Sequence, residues 1–483
     1  MSDLKSKSVS SAKWSLILHM GQYVITFFLS IVLSRLLETE EFGLTGMLSI
    51  FIALATTLTS AGLGQALVFS KTSNESDFST VFYFNIAVSS CLYVLLFFTA
   101  PLIANFYEQP ELIPLTRWIC LVFVINSFGL IQDTRLVIDL NFKKQSKIRL
   151  AGLLISVGAA IVMAFQGFGV YSIVGQVLVQ ALVNVILYWI LSAWRPVGGF
   201  NLESFRRLWK YGSNILFSNL FSQIINNIDN LLVGKVFKPY TLGLFIRAKN
   251  TKAIPEGIFS QAFQTSIFPI LSKLNDNKEE FIKKHLLFFQ LGTYFVIPMV
   301  ILLYFSSYEI VDILYGEKWL KSVPYLKIVA FMIIPHFLGI LFNQTLLAFG
   351  DSRLFMKLSM LRRVLGIINI PVALFWGLIP YLYSIVILTF VGLIIDVLYT
   401  SRKIGTQVSD YTLDFFSALF FSAILGAVIW ASDLWIPLHT YIAKGIGFGI
   451  GIAVYILLLK VFRSQVLNYY LDILSSFVNR KRG

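Results

Sequence analysis

The chain has 483 residues, 57% of them hydrophobic and 13% charged, with a formal net charge of +14. Apolar stretches separated by short polar gaps follow one another along it, which excludes any function carried out away from a membrane. The positive charge invites a nucleic-acid reading, but its placement follows a membrane topology and excludes nucleic acid as the partner.

Fourteen spans are expected, at about 14–34, 43–69, 79–104, 112–132, 148–166, 169–193, 209–234, 241–271, 283–305, 325–348, 354–376, 379–400, 411–432 and 439–462. Backbone amides cannot stay unpaired in hydrocarbon, and these stretches are about twice the length of a barrel strand. The fold class is therefore all-α, a polytopic membrane protein.

The first stretch follows Lys5, Lys7 and Lys13 and runs to Ser34 without a small-residue cleavage pattern, so it is read as a retained span. Within it Ser15, His19, Gln22, Thr26 and Ser30 recur on one helical face. Cys91 and Cys120 fall inside spans, where a thiol is usually a small hydrophobe; no disulfide, metal or cofactor is inferred.

Acidic gaps such as LETEEF and YEQPEL alternate with basic ones. The basic clusters are Lys143, Lys144, Lys147 and Arg149; Arg206, Arg207 and Lys210; Lys283 and Lys284; Arg362 and Arg363; and the terminal Arg480, Lys481 and Arg482. Positive charge is retained in the cytoplasm, which places both termini there. Trp14, Trp118, Trp189, Trp194, Trp209, Trp376 and Trp430 lie near span ends, as an interfacial aromatic belt requires.

In the seventh span Asn219, Gln223, Asn226 and Asn230 recur at intervals of four, three and four, a polar stripe on one narrow face. Amides exposed to lipid are costly. The stripe either forms interhelical hydrogen bonds or, with its first-span counterpart, lines a wet cavity offering donors and acceptors to a hydroxyl-rich solute. Arg247, Lys249, Lys252 and Glu256 make the eighth span the densest in charge. Charges at depth are functional candidates, set against snorkelling of Arg247 and Lys249 and an i,i+4 pair of Lys252 with Glu256. Pro255 and Gly257 are expected to interrupt this helix, as Pro298, Pro335 and Pro371 interrupt theirs. Asp229 and Asp396 are deep carboxylates: proton or sodium sites, or partners of a cation on a neighbouring span.

An internal repeat is expected. SRLLETEEFGL aligns without a gap on GKVFKPYTLGL, setting Gly43 on Gly243; NFYEQPEL resembles ILYGEKWL; and DTRL from Asp133 resembles DSRL from Asp351. Equivalent points lie six spans apart, an even number, so the repeat is parallel, a known transporter plan. The expected organisation is an N-terminal lobe over residues 1–200, a C-terminal lobe over 201–405, and two further spans with an amphipathic cytoplasmic tail over 406–483. Leu467, Leu471, Leu474 and Val478 give that tail its apolar spacing.

The chain resembles the polysaccharide flippases of the multidrug, oligosaccharidyl-lipid and polysaccharide exporter superfamily. The resemblance is carried by SRLLETEEFGL with AGLGQAL, by NIDNLLVGK with LGLFIRA, by IFPILSKL and by LYGEKWLKSVPYLKI. One departure is Phe245 and Ile246 in the LG-aromatic-Tyr stretch, where the family pattern has a Tyr. The resemblance implies two six-helix lobes and alternating access, moving an undecaprenyl-diphosphate-linked oligosaccharide from the inner to the outer leaflet of the bacterial inner membrane. Its implied partners are that lipid-linked substrate, membrane lipids, H+ or Na+, and the polysaccharide polymerase machinery. Lys249, Lys252 and Arg247 suit a lipid diphosphate, and the two stripes suit a glycan.

Three other readings remain. A lipid II flippase shares the architecture and a cationic cavity. A cation-coupled drug exporter would want an acidic, apolar cavity. A membrane glycosyltransferase or polymerase would need an extramembrane surface for chemistry, whereas the polar gaps are short and no two Asp stand at D-x-D spacing. The chain is accordingly read as a transporter and not an enzyme.

Overall fold

The structure is a computed structural model that describes residues 2–60, 62–70, 73–435 and 441–479; side chains at 2–13, 16, 19, 60, 262, 367, 435, 442, 443, 473, 474 and 476–479 lie outside the description. The basic tail Arg480, Lys481 and Arg482 and the side chains of His19, Leu474 and Val478 therefore fall outside the described residues. Among the described residues every regular element is helical. Two units divide between Ile246 and Arg247.

The first unit holds α1 (Ser2–Leu36), α2 (Thr39–Ser60), α3 (Leu63–Phe69), α4 (Glu75–Tyr107), α5 (Leu112–Ile119), α6 (Leu121–Ser127), α7 (Leu130–Ile138), α8 (Phe142–Phe165), α9 (Tyr171–Leu191), α10 (Leu202–Val236) and the start of α11 (Pro239–Lys273). The second holds the rest of α11, then α12 (Lys278–Phe305), α13 (Ser307–Tyr315), a 3-10 segment (Glu317–Ser322), α14 (Val323–Ala330), α15 (Ile333–Ala348), α16 (Ser352–Ile367), α17 (Ile370–Trp376), α18 (Leu378–Ile404), α19 (Ser409–Trp435), α20 (Tyr441–Phe462) and α21 (Ser464–Asn479).

Helix starts follow local chemistry. Asn74 and Asp77 form a reciprocal capping box at α4, while Asn141, Asn201, Asn277 and Asp351 each cap a following helix with a side-chain oxygen. Among the described residues ten helical segments are long and apolar enough to cross a bilayer, and an eleventh if Leu112–Ser127 and Leu130–Ile138, bent by 46°, count as one span. Helices α10 and α11 have 35 residues each, ample for a crossing, but fall short in apolarity, whereas α1 is apolar over the shorter stretch Met20–Leu36. These are the helices that carry the polar stripes and the charge cluster.

The prolines divide in a way the sequence reading did not anticipate. Helix α11 runs unbroken through Pro255, Gly257 and Pro269, and α12 runs unbroken through Pro298. Pro335 and Pro371 instead stand in the first turns of α15 and α17, where the missing N–H has no intrahelical partner to lose. A mid-span proline costs one backbone bond, which neighbouring groups in a bundle can offset.

In the first unit α8 lies between α1 and α9, and α10 packs along α2, α3 and α4. The repeat glycines meet face to face. A Cβ on Gly43 would stand 1.8 Å from the Pro239 carbonyl oxygen, and one on Gly243 would stand 2.1 Å from that of Thr39. Thr39 and Pro239 carry the same offset as the glycines, so the two contacts are mates about a local pseudo-twofold axis. The DTRL match fails in three dimensions: Asp133 lies inside α7, whereas Asp351 caps α16.

In the second unit α12 packs against α15 and α19, and α15 against α18, around Phe281, Phe289, Tyr294, Phe337, Phe342 and Tyr411. Buried polar groups fasten the C-terminal helices there. His285 bridges Thr345 Oγ1 at 2.8 Å and the Tyr411 hydroxyl at 3.0 Å. The Tyr455 and Tyr470 hydroxyls donate to the carbonyls of Tyr294 and Leu291, at 2.7 and 2.5 Å. Helix α21 thus faces α12 with buried Val466 and with Tyr470, while Leu471 is exposed.

Candidate functional site

Each unit contains a polar pocket built on an arginine–aspartate pair. In the second unit a cavity of about 220 Å³ opens among α15, α16, α17 and α18, with Asn343, Arg362, Asn369, Thr389 and Asp396 in its wall. Asp396 is buried and ion-pairs with Arg362. The guanidinium also donates to Asn343 Oδ1 at 3.0 Å and Ser359 Oγ at 3.1 Å, so its fork is held on three sides. Gly392, one turn before Asp396, makes room for the arginine stem: a Cβ there would stand 3.3 Å from Arg362 Cγ and Cδ.

His336 lines the same pocket and links it to α11. Its Nδ1 lies 2.6 Å from Glu256 Oε1, and Lys252 Nζ lies 3.1 Å from Glu256 Oε2. Lys252 and Glu256 expose only 11% and 13% of their side chains, whereas His336 exposes 62%. The acid is thus shielded and shared between two bases, with the imidazole as the accessible end of the chain.

In the first unit a cavity of about 340 Å³ is lined by Gln22, Thr56, Asn126, Asp133, Arg149 and Asn184, among others. Asp133 is its hub. Arg149 pairs with it at 2.7 Å, Gln145 donates at 2.9 Å, and the Tyr188 hydroxyl donates to the same carboxylate. Gly152 admits the Asn184 amide, which a Cβ would meet at 2.0 Å. In both pockets the charges are compensated and the remaining amides and hydroxyls face the space. Such a wall suits an uncharged, many-hydroxyl solute better than a free ion.

The structure gathers some of the sequence candidates and separates others. Lys252 and Glu256 join the second-unit pocket through His336, Asp396 lies in its wall, and Gln22 lines the first-unit pocket. Arg247 is 2% exposed, its guanidinium 4.5 Å from the Tyr315 ring centroid and 4.6 Å from that of Trp319. Lys249 is half-buried. On α10, Asn230 donates to Ser49 Oγ on α2 at 3.1 Å, Asn219, Gln223 and Asp229 are half-buried, and Asn226 is exposed; Thr26 on α1 is exposed as well. The Asn227 amide donates to the Gln223 carbonyl at 3.0 Å.

Sequence reasoning missed His336, Asn343, Arg149, Asp133 and the inward role of Arg362. Arg149 and Arg362 were counted with the cytoplasmic basic clusters. Arg362 in fact stands ten residues beyond the start of α16, about 15 Å at helical rise. The available signal was Asp396 itself, because a deep carboxylate calls for a cation at similar depth on a neighbouring helix. Among the described residues no three His, Cys, Asp or Glu side chains gather as a metal site.

Residues 32–324 match the family described as "Polysaccharide biosynthesis protein". The chain belongs to that family. Among similar proteins in this polysaccharide biosynthesis group, the teichuronic acid biosynthesis protein TuaB of Bacillus subtilis is 28% identical over 361 residues, 73% of this chain and 74% of that protein. The lipopolysaccharide biosynthesis protein WzxC of Escherichia coli is 25% identical, over 67% of this chain and 66% of that one. The succinoglycan biosynthesis transport protein ExoT of Rhizobium meliloti is 23% identical, over 66% and 64%. The fold is that of a solved lipid II flippase, MurJ, in an inward closed conformation: TM-score 0.75, 17% identity, covering 94% of this chain and all of that one. An inward-facing multidrug resistance transporter of the MATE family and MOP superfamily gives a TM-score of 0.59 at 15% identity, covering 80% of this chain and 94% of that one. The polysaccharide biosynthesis family thus takes a multi-pass transporter fold here.

Proposed function

We propose that the chain is a flippase of the bacterial inner membrane, both termini cytoplasmic, carrying an undecaprenyl-diphosphate-linked oligosaccharide across by alternating access without a covalent step. In this reading α1, α10 and α11 also cross, giving fourteen spans. The observation that carries it is the pairing of membrane-depth charges in both pockets, Arg149 with Asp133 and Arg362 with Asp396, with amides and hydroxyls left beside them. A glycan leaving water must exchange its hydration for such donors and acceptors, and fixed side chains do this without reorganising. Three relatives are named for teichuronic acid, lipopolysaccharide and succinoglycan biosynthesis, which supports a glycan cargo.

Lys249 and Lys252 are the proposed diphosphate contacts. Asn219, Gln223, Asn226, Asn230, His19, Gln22 and Thr26 are the proposed glycan-facing stripes. Arg247 is assigned to holding α11 against the Tyr315–Trp319 corner, because its guanidinium is buried and lies over both rings. A coupling ion, H+ or Na+, would be taken at Asp229 or Asp396, and at Asp396 it must share the carboxylate with Arg362.

Complementation tests this reading. The chain is expressed in strains lacking their O-antigen flippase or their lipid II flippase, with membrane levels quantified alongside. Restored surface glycan supports the proposal, and restored survival alone moves the cargo to the cell-wall precursor. The Lys249→Ala, Lys252→Ala double variant is expected to abolish glycan export at unchanged membrane level; unchanged export removes both lysines from the site.

A further inference from the structure

Three helices of the second unit terminate around one cleft: α12 finishes at Phe305, α14 begins at Val323 and α18 begins at Leu378. The cleft has a volume of about 280 Å³ and is lined by Tyr304, Pro324, Lys327, Phe331, Ile379 and Tyr383, with Ile328 and Val386 behind them. Tyr304 stands next to the end of its helix, and Lys327 and Tyr383 lie about one turn inside theirs. At 1.5 Å per residue they sit about 2–8 Å from the helix ends, the depth at which Lys and Tyr meet lipid headgroups.

The charge balance at this cleft differs from that of four ion-paired cations in the same unit. Lys252, Arg362, Lys444 and Arg463 each hold a carboxylate. Lys327 forms no ion pair among the described residues; its ammonium lies 5.0 Å from the Tyr304 ring centroid. Tyr304 Oη and Tyr383 Oη are the hydroxyl groups in the lining, and Tyr383 is 54% exposed, Ile379 38%, so the cleft opens to the apolar exterior of the unit. An ammonium among apolar walls is uncompensated until an anion joins it. A hydrated inorganic anion has no use for those walls, whereas an acyl chain does.

We propose that this cleft seats the headgroup phosphate of an anionic phospholipid, with Lys327 pairing the phosphate, Tyr304 and Tyr383 donating to headgroup oxygens, and an acyl chain lying along Ile328, Ile379 and Val386. The bound lipid ties the ends of α12, α14 and α18 together. In the topology proposed above this end faces the outer leaflet, but the site does not depend on that assignment or on the cargo.

Native mass spectrometry of the purified full chain tests it, with dioleoylphosphatidylglycerol, dioleoylphosphatidylcholine or inorganic phosphate added to wild type, Lys327→Gln, Lys327→Arg and the distant control Lys460→Gln. The expected result is preference for phosphatidylglycerol over phosphatidylcholine, weakened about fivefold in Lys327→Gln, retained in Lys327→Arg and in Lys460→Gln. Equal phosphatidylglycerol affinity in wild type and Lys327→Gln overturns the proposal, as does displacement of the lipid by millimolar phosphate. A photoactivatable phosphatidylglycerol on wild type needs no variant to fold: label on the peptides around 324–331 or 379–386 supports the site, and label confined elsewhere overturns it.

Discussion

Asp396 shows what one carboxylate requires at membrane depth. Its side chain is 4% exposed and lies against an Arg362 that is itself 24% exposed, and Asn343 and Ser359 accept from Arg362 Nη2. Removing one partner leaves an uncompensated buried charge, at a cost of about 3–5 kcal/mol, whereas removing both can approach neutrality. Arg362→Gln and Asp396→Asn are each expected to lower unfolding stability in detergent by about that amount, and the double variant by less than the sum. Additive losses, measured by denaturant unfolding, would mean that the pair does not act as a unit. The deep carboxylate was legible in the sequence as one needing a cation, but its partner was not. Arg362 adjoins Arg363 in a run that looks like a cytoplasmic end, and a linear charge pattern carries no depth. The same blindness hid Arg149 and Asp133, and it gave no sign of the two aromatic rings that lie against Arg247.

At the scale of elements, the glycine equivalence read from SRLLETEEFGL and GKVFKPYTLGL was correct in register, and the helices explain why glycine stands there. Gly43 and Gly243 bring α2 and the first turns of α11 into backbone contact, each against the residue four positions before the other. A methyl at either site must push a backbone carbonyl away, which overpacking of this kind prices at about 1–3 kcal/mol. Gly43→Ala and Gly243→Ala should each lower the apparent melting temperature of the purified protein. The double variant should lose less than the sum, because both act on one crossing. Unchanged melting in both single variants would show that this crossing is not held closed. The prolines teach the opposite lesson. Four looked alike as breakers, yet only Pro335 and Pro371 stand at helix starts, because what surrounds a proline decides whether its lost hydrogen bond ends a span.

For the whole molecule, the alternation of basic and acidic gaps makes a topology prediction that cysteine labelling can check. With Cys91 replaced by Ser, Glu317→Cys should react with a membrane-impermeant maleimide in intact cells, whereas Gln407→Cys should react only after permeabilisation. Reversed accessibility would invert the proposed orientation and move the Lys327 cleft to the other leaflet.

Hydropathy and charge along the chain determined the all-helical, multi-pass class, because a bilayer imposes span length and polarity one segment at a time, and the transport function was legible in the motifs that carry the family resemblance. The family membership agrees with that reading. Even the failure of α10 and α11 to reach the apolarity of the other long helices followed from the stripe and the charges visible in sequence. Only the tertiary structure decided which polar groups share a pocket, that His336 joins Lys252 and Glu256 to the wall containing Asp396, and that Lys327 stands in a cleft of its own. Those facts depend on helix rotation and depth, set by packing between segments far apart in the chain, and a one-dimensional pattern contains neither.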